Sequence, residues 1–344
     1  LSLAERAGQK LYTQNDVEKT FNLWEVLPYH QKTVFKDLEF NFRRAGHILG
    51  SSMIEIEAED KRLLFTGDLG NTPSILLPPP ERFKNIEYLI IESTYGSRTH
   101  ELPEERILSL ERAVEDTAAR KGTLLIPAFA TERTQDLLFL LNEMLLFKRI
   151  PEVSMFVDSP LAIRITEVFE KHIKEFNEEI KQLFLNHPNL FRFKKLQFTL
   201  SVTESKGIND ISPPKVVIAG SGMMNGGRIL HHARRYLPDP NSILLITGHQ
   251  AAGSLGRRLL DGESEVKIFG EGILVRAEVR KINGFSAHAD NPQLFSFVDA
   301  NRDSLKRVFV IQGEEAQALH LAQEIRDRLG VKTEAPMLYQ EFEV

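Results

Sequence analysis

Apolar and polar residues alternate along the first part of the chain. Residues 33–42 and 52–65 both follow this alternation, and the second run is interrupted by a turn at Asp60 and Lys61. A period of two is typical of strands that bury one face and expose the other. The pattern therefore predicts antiparallel strands between residues 34 and 66.

From about Pro103 onward, short apolar runs are each followed by an amphipathic segment. The apolar runs read TLLIPAF, VSMFVDSP, KVVIAGSG and SILLITGHQ. Alternation of strand and helix predicts a mostly parallel sheet, covered by helices, whose binding loops lie at the carboxyl ends of the strands. The last segment, RVFVIQGEEAQALHLAQEIRDRL, predicts one more strand and helix. We expect a parallel α/β unit to interrupt an antiparallel-rich domain, to which this last segment returns.

Composition limits the chemistry that the chain can support. The 344 residues are 42% hydrophobic and 26% charged, which suits a globular protein of about two domains. The sequence contains no cysteine, so disulfides and thiolate metal sites are excluded, and a cytoplasmic location is expected. No apolar run reaches the ~18 residues of a membrane span. With a net charge of −5, the chain would have to hold a nucleic acid in a local groove.

Four polar residues lie next to apolar runs and beside Gly, Ser or Ala. They are His47 in AGHILG, Asp68 in FTGDLG, Glu92 in IIESTYG and His288 in FSAHAD. Taken singly, an Asx-turn or a helix cap explains each of them equally well. Taken together, two imidazoles and two carboxylates suit zinc-assisted hydrolysis.

A glycine-rich segment, GSGMMNGGR, follows one apolar run and opens a helix. Backbone amides at Ser221, Gly222 and Met223 could therefore bind a phosphate, although a tight strand-to-helix turn explains the glycines as well. Ser254, in TGHQAAGSLG, lies on a similar loop together with His249.

The segment FATERTQ predicts a helix with Thr131 as its N-cap and Arg133 in its first turn. A basic residue is poorly placed there relative to the helix dipole. A bound phosphate would explain it, so Arg133 is a candidate phosphate ligand.

Other polar residues are interpreted as structural. Asp158 is expected to shape a groove through a turn, and His232 to pack within a helix, with His231 only slightly more suggestive of function. The remaining histidines carry no motif and are expected to be ordinary packed or solvated residues: His30, His100, His172, His187 and His320.

Nine motifs in this order resemble the β-CASP branch of the metallo-β-lactamase family, which includes RNA-processing nucleases. They are AGHILGSSMIEIE, FTGDLG, IESTYG, IPAFATERTQDLL, VDSPLA, IAGSGMMNGGRILHH, TGHQAAGSLGRRL, NGFSAHAD and VFVIQGEEAQAL. The resemblance implies an α/β fold, a metallo-β-lactamase αββα sandwich with an inserted parallel β-CASP domain. We expect the sandwich at residues 1–96 and 287–344 and the β-CASP domain at residues 97–286.

The resemblance also implies roles. His47 would ligate zinc, Asp68 would bridge two zinc ions, and Glu92 would hold His288, the general acid for the leaving group. The substrate would be single-stranded RNA lying between the two domains, in RNA processing or decay. No membrane partner is expected. The chain is expected to form a homodimer.

The departures from the family pattern concern the metal. The family's His-x-His-x-Asp-His cluster is absent from the sequence, and Gln312 stands where a further histidine ligand is expected. Only His47 and Asp68 remain as ligands, too few for a tight site. Because the sequence starts with Leu1, we expect it to begin inside a longer enzyme, with Gln312 introduced to silence cleavage; the competing explanation is a natural chain that lost catalysis.

Three functions follow from these observations. The chain is expected to be a zinc-dependent ribonuclease with impaired catalysis, or alternatively a non-catalytic RNA-binding β-CASP subunit. A small-molecule hydrolase is a third possibility, which the phosphate-binding motifs disfavour. The sequence does not distinguish an endonuclease from an exonuclease, and the choice of RNA over DNA as substrate rests on the resemblance alone.

Overall fold

The computed structural model describes residues 12–187 and 189–344. Its helices are α1 Gln14–Phe21, α2 Pro103–Arg120, α3 Arg133–Leu146, α4 Pro160–Lys171, α5 Glu178–Asn186, α6 Val202–Gly207, α7 Ile229–Tyr236, α8 Leu255–Leu260, α9 Asn291–Asp299 and α10 Glu315–Leu329. Its strands are β1 Thr33–Phe35, β2 Leu38–Arg44, β3 Ser52–Ala58, β4 Lys61–Phe65, β5 Tyr88–Ile91, β6 Thr123–Pro127, β7 Ser154–Asp158, β8 Leu196–Phe198, β9 Lys215–Ala219, β10 Ile243–Ile246, β11 Glu265–Ile268, β12 Glu271–Leu274, β13 Glu278–Lys281, β14 Arg307–Val310 and β15 Thr333–Glu334.

The first sheet has seven strands in the order β1-β2-β3-β4-β5-β14-β15. Strands β1 to β4 pair antiparallel, as predicted, whereas β4, β5, β14 and β15 pair in parallel. The segment 33–42 holds two strands rather than one, because Lys36, with φ 55°, turns the chain between them. The β3–β4 turn falls on Glu59 and Asp60, one residue earlier than predicted.

The second sheet is entirely parallel, in the order β13-β10-β6-β9-β7-β8. All residues of its central strands β6, β9 and β10 are buried, which is why they appear in the sequence as continuous apolar runs. Pro160 starts α4 at its first position, where its missing amide and fixed φ suit a helix. The predicted fold class, an α/β protein with an inserted parallel domain, is confirmed.

The chain passes from the first sheet to the second after β5 and returns after β13, and the last strand–helix unit joins the first sheet as predicted. The domain boundaries at residues 97 and 286 stay a prediction. A separate hairpin, β11–β12, lies beside the second sheet. Among the residues described, no helix combines the length and hydropathy needed to cross a membrane.

Candidate metal and catalytic site

Three loops that carry predicted site residues are joined to one another by backbone hydrogen bonds. The loop 66–71 after β4 lies in the middle: the Gly70 amide donates to the carbonyl of Ala45 at 2.9 Å, and the Ala289 amide donates to the carbonyl of Leu69 at 2.8 Å. These bonds fix the spacing between the loops around residues 47, 68 and 288.

The close approach of two of these loops requires glycine. A Cβ on Gly70 would lie 2.1 Å from the carbonyl oxygen of Gly46. Gly46 itself has φ +68°, in the left-handed region, and a Cβ there would lie 2.8 Å from the backbone of Pro78. A side chain at position 70 would therefore push the His47 and Asp68 loops apart.

His47, Asp68 and His288 converge, with one potential ligand atom of each lying within 4.8 Å of the others. The Nε2 atom of His47 is 3.6 Å from Oδ2 of Asp68. Two ligands of one tetrahedral zinc ion, each about 2.1 Å from the metal, lie ~3.4 Å apart. The spacing and the chemistry of these donors fit a zinc ion.

Glu92 holds His288. This carboxylate is buried at the end of β5, and the Nδ1 atom of His288 lies 3.1 and 3.0 Å from its two oxygens. Glu92 also accepts the backbone amide of Leu69 at 2.6 Å and that of Thr94 at 3.3 Å. Because Nδ1 is engaged in this way, Nε2 is the His288 nitrogen left for other chemistry.

The two imidazoles are shifted in opposite directions. Burial lowers the pKa of His288, but the hydrogen bond from its ring to Glu92 and the charge of that carboxylate outweigh burial, and the pKa of His288 is raised. Burial and the neighbouring His288 lower the pKa of His47. His47 is therefore neutral near pH 7, which is the form that binds metals.

Gln312 lies at the same site. Its side-chain amide donates a short hydrogen bond to Oδ1 of Asp68, and its backbone is left-handed, with φ 52°. The amide thus occupies one of the two oxygens through which Asp68 could bridge metal ions. A neutral amide donating to a ligand oxygen does not contribute a zinc ligand through that nitrogen.

Tyr95 and His100 also contact this site, although neither was singled out from the sequence: Tyr95 lies within the motif IESTYG and His100 lies outside all nine motifs. The Nε2 atom of His100 is 3.0 Å from the carbonyl oxygen of His288, and the Tyr95 ring centroid lies 4.6 Å from that of His100 and 6.4 Å from that of His288. His100 is thus a packed residue, as expected, although no local pattern marks its contact to a loop 188 positions away.

A pocket of about 450 Å³ opens beside Tyr95 and is lined by Arg98, His249 and Lys281, among others. Neither Arg98 nor Lys281 contacts a carboxylate among the described residues. Burial and the nearby Arg98 lower the pKa of Lys281. The sequence indicated only His249 here, because the two cations carry no motif.

The glycine-rich loop is a tight turn closed by its own contacts. Ser221 donates both its amide and its hydroxyl to the carbonyl of Gly226, each at 3.1 Å. Gly222 packs on Phe129, and its carbonyl accepts from Gln250 at 2.9 Å. The loop runs on through Met223, whose carbonyl accepts a backbone amide from α8.

Ser254 is the N-cap of α8. Its hydroxyl accepts the Arg257 amide at 3.2 Å and donates to the carbonyl of Ala251 at 2.8 Å. The side chain is buried and its hydrogen bonds are local, so helix capping explains this serine. Its predicted phosphate contact is untested.

The helix after FATERTQ begins differently from the prediction. Its N-cap is Glu132, with φ 65° and no capping hydrogen bond from the side chain, so Thr131 as N-cap was wrong. Arg133 is 5% exposed, lies 3.1 Å from Asp136, and places its guanidinium 5.5 Å from the ring centroid of Phe285. A buried ion pair explains a basic residue in this turn, and a phosphate contact would require the pair to open.

Asp158 organises the carboxyl end of β7. It is fully buried and is bonded to Arg228 and to the Nε2 atom of His232, each at 2.7 Å, and to the hydroxyls of Thr199 and Ser205, each at 2.6 Å. Burial raises the pKa of Asp158, but these hydrogen bonds outweigh it and lower the pKa well below the ordinary range. His232 is packed, as expected.

Two family models match this sequence. The Beta-Casp domain matches residues 134–259, and the Zn-dependent metallo-hydrolase RNA specificity domain matches residues 272–336. The first match contains β7 to β10 of the second sheet, and the second contains β13 of that sheet and β14 and β15 of the first.

Similar proteins agree with these matches. A ribonuclease of Thermus thermophilus is 34% identical over 91% of this chain and 71% of its own length, and an RNase J-like protein of Methanocaldococcus jannaschii is 33% identical over 95% and 76%. The transcription termination factor FttA of Thermococcus kodakarensis is 32% identical over 95% of this chain, which spans 52% of that factor. A crystal structure of a protein of unknown function from Enterococcus faecalis aligns with a TM-score of 0.50 at 12% identity, over 91% of this chain and 65% of that one, and supports the fold alone.

Proposed function

The chain belongs to the β-CASP branch of the metallo-β-lactamase family, and on that basis we propose that it acts on single-stranded RNA as a zinc-dependent phosphodiesterase whose catalysis is impaired. The observation that carries this proposal is the convergence of His47, Asp68 and His288, with Glu92 holding His288 through Nδ1. The relatives named as ribonucleases support RNA as the substrate.

His47 and Asp68 are the residues that would hold zinc, with Nε2 and Oδ2 as the ligand atoms. A bound zinc ion supplies Lewis-acid stabilisation of a phosphodiester and makes water a better nucleophile. The residues of this chain give that ion a neutral imidazole and one carboxylate oxygen, since the other accepts from Gln312. Gln312, which donates to Asp68 and stands where the family resemblance expects a histidine ligand, is the reason why we propose impaired catalysis.

His288 would act on the leaving group. With Nδ1 bonded to Glu92, its Nε2–H can donate a proton to the oxygen that departs when the P–O bond breaks. Glu92 is buried and accepts two backbone amides, so it is a rigid support for the ring. The contact between His100 and the His288 carbonyl supports the same loop from its backbone.

Substrate phosphates would lie in the pocket beside Tyr95. Arg98 and Lys281 supply positive charge there, whereas Tyr95 is buried and its ring packs 5.9 Å from that of His249, so it shapes the pocket wall. Lining of this kind holds a nucleic acid locally although the protein as a whole is acidic. A homodimer and a cytoplasmic location stay predictions.

A second function is favoured by one contact. The side-chain amide of Gln312 donates to Asp68 and adds no zinc ligand through that nitrogen, as expected for a non-catalytic RNA-binding β-CASP subunit. Such a subunit would bind RNA and leave it intact with or without added zinc.

The two functions separate in one assay. A labelled unstructured RNA is incubated with the chain and with Gln312→His, each with zinc and with a chelator, while binding is followed by fluorescence anisotropy. Chelator-sensitive cleavage that Gln312→His accelerates supports the nuclease. RNA binding without cleavage by either protein supports the non-catalytic subunit, and no RNA binding by either overturns both.

A further inference from the structure

A second pocket, of about 720 Å³, lies beside α7 and is called here the basic pocket. Asn225, Gly226 and Gly227 of the glycine-rich loop line it, whereas Gly222 of the same loop packs on Phe129 outside it. None of its lining residues lines the pocket beside Tyr95. The basic pocket is therefore distinct from the site described above.

The lining is cationic although the protein carries a net charge of −5. It includes two histidines and four basic residues but no carboxylate. The basic residues are Lys206, Arg228, Arg234 and Arg235. Lining of one sign in a concave wall concentrates the field and favours an anionic ligand.

Two of these cations are not neutralised. Arg228 is committed to the buried Asp158, and Arg234 lies 3.5 Å from Glu271 in an exposed pair that contributes little. Lys206 and Arg235 have no carboxylate within ion-pair distance in the described part of the chain. They are the groups that an incoming phosphate would meet.

An aromatic side chain stands over the pocket in a conformation that is unfavourable for it. Phe269 and Gly270 form the two-residue turn of the β11–β12 hairpin, with φ 53° and 84°. A turn of this type favours Asn, Asp or Gly at both positions, and a bulky residue at positive φ is an outlier. Backbone strain of this kind points to a function for the side chain that causes it.

The Phe269 ring extends an aromatic surface across the pocket. Its centroid lies 4.6 Å from that of His231, tilted by 34°, and the Arg234 guanidinium lies 6.0 Å from the ring. The residue nevertheless remains 52% exposed, so about half of it faces solvent. Proteins that bind single-stranded nucleic acids combine exposed aromatic rings, on which bases stack, with cations that neutralise the phosphates. The basic pocket offers both.

We propose that the basic pocket is a second binding site for single-stranded RNA, with a base stacked on Phe269 and the adjoining phosphates at Lys206 and Arg235. The proposal rests on the proposed function in one respect, that RNA is the ligand. It adds a contact away from His288, so a long RNA engages both sites whereas a short one is held only at the catalytic site.

The test uses the full chain and the double variant Phe269→Asn with Lys206→Gln. Asparagine suits the left-handed turn, so this variant removes the ring while relieving strain. The matched control is Phe147→Asn with Lys148→Gln, which removes an exposed phenylalanine and a lysine at the end of α3. Affinity is measured by anisotropy for an RNA of about 20 nucleotides and for one of about four.

The pocket variant is expected to bind the long RNA roughly tenfold to a hundredfold more weakly, while its affinity for the short RNA is unchanged. In addition, photocrosslinking of iodouridine-substituted RNA to the parent chain should label the peptide that contains Phe269. Parent-like affinity of the variant for long RNA, or equal loss in the control, overturns the second site and leaves the proposed function standing. Failure of the parent to bind either RNA overturns both.

Discussion

The side-chain amide of Gln312 and the carboxylate of Asp68 are joined by a hydrogen bond at the point where two zinc ligands are expected to meet. The other oxygen of Asp68 lies 3.6 Å from Nε2 of His47. One oxygen of Asp68 therefore faces His47 at a spacing that fits zinc, and the other accepts the Gln312 amide, which competes with a metal ion for this carboxylate.

Gly70→Ala should weaken both the fold and the metal site. The added Cβ would meet the Gly46 carbonyl at 2.1 Å, so the two loops must separate, at a cost of about 1–3 kcal/mol. Thermal unfolding and zinc titration measure the two effects. Gly207→Ala is the control: nothing lies within 4 Å of its Cβ and it is helical, so stability should stay equal or rise by ~0.5–1 kcal/mol. Equal stability of both variants would contradict the close approach.

Glu92→Gln should lower the pKa of His288, because the negative charge that outweighs burial is removed. The raised pKa of His288 stabilises the folded state at low pH, and this contribution disappears as the pH rises through that pKa. The variant should therefore lose more stability at pH 5 than at pH 8. NMR titration of His288 in the metal-free protein gives the direct reading, and an unchanged pKa would contradict the assigned pairing.

Glu132→Gly should stabilise the protein. Glu132 is 3% exposed at φ 65°, and neither carboxylate oxygen has a hydrogen-bond partner among the described residues. Burial and the neighbouring Asp136 raise its pKa well above the ordinary value. Since a raised carboxyl pKa costs stability as the pH rises, the gain should be larger at pH 8 than at pH 4.

Glu132→Ala separates the two causes. Alanine removes the buried carboxyl but keeps a Cβ at positive φ. The stability of the alanine variant should therefore lie between those of the parent and the glycine variant, with the glycine variant more stable than the alanine variant by ~1 kcal/mol. Denaturant unfolding at both pH values checks this order. A glycine variant less stable than the parent would show that Glu132 makes a favourable contact.

Much of the fold could be predicted from the sequence because its signals are local. The parallel sheet followed from continuous apolar runs such as TLLIP in β6, all of whose residues are buried. The turn at Lys36 escaped prediction because Lys36–Asp37 is not a residue pair that strongly favours a hairpin turn. The positive φ of Lys36 is visible only in the structure. The N-cap at Glu132 was missed for the same reason.

The candidate site divides in a similar way. His47, Asp68, Glu92 and His288 lie in motifs, and the structure brings them together. Arg98, Lys281 and the pairing of His100 with the His288 backbone depend on contacts between distant segments, which no local pattern encodes. Arg133 shows the converse, since its unusual position arises from a buried partner one helical turn away, Asp136.

Zinc affinity with and without the Gln312 amide tests the proposed metal site at His47 and Asp68. Calorimetric titration of the parent chain and of Gln312→His should give zinc binding at least about tenfold tighter in the variant, because an amide donor to Asp68 is replaced by an imidazole ligand. Adding His47→Ala should abolish that gain. Equal zinc affinity of parent and variant, or a gain that survives His47→Ala, would contradict a metal site at His47 and Asp68.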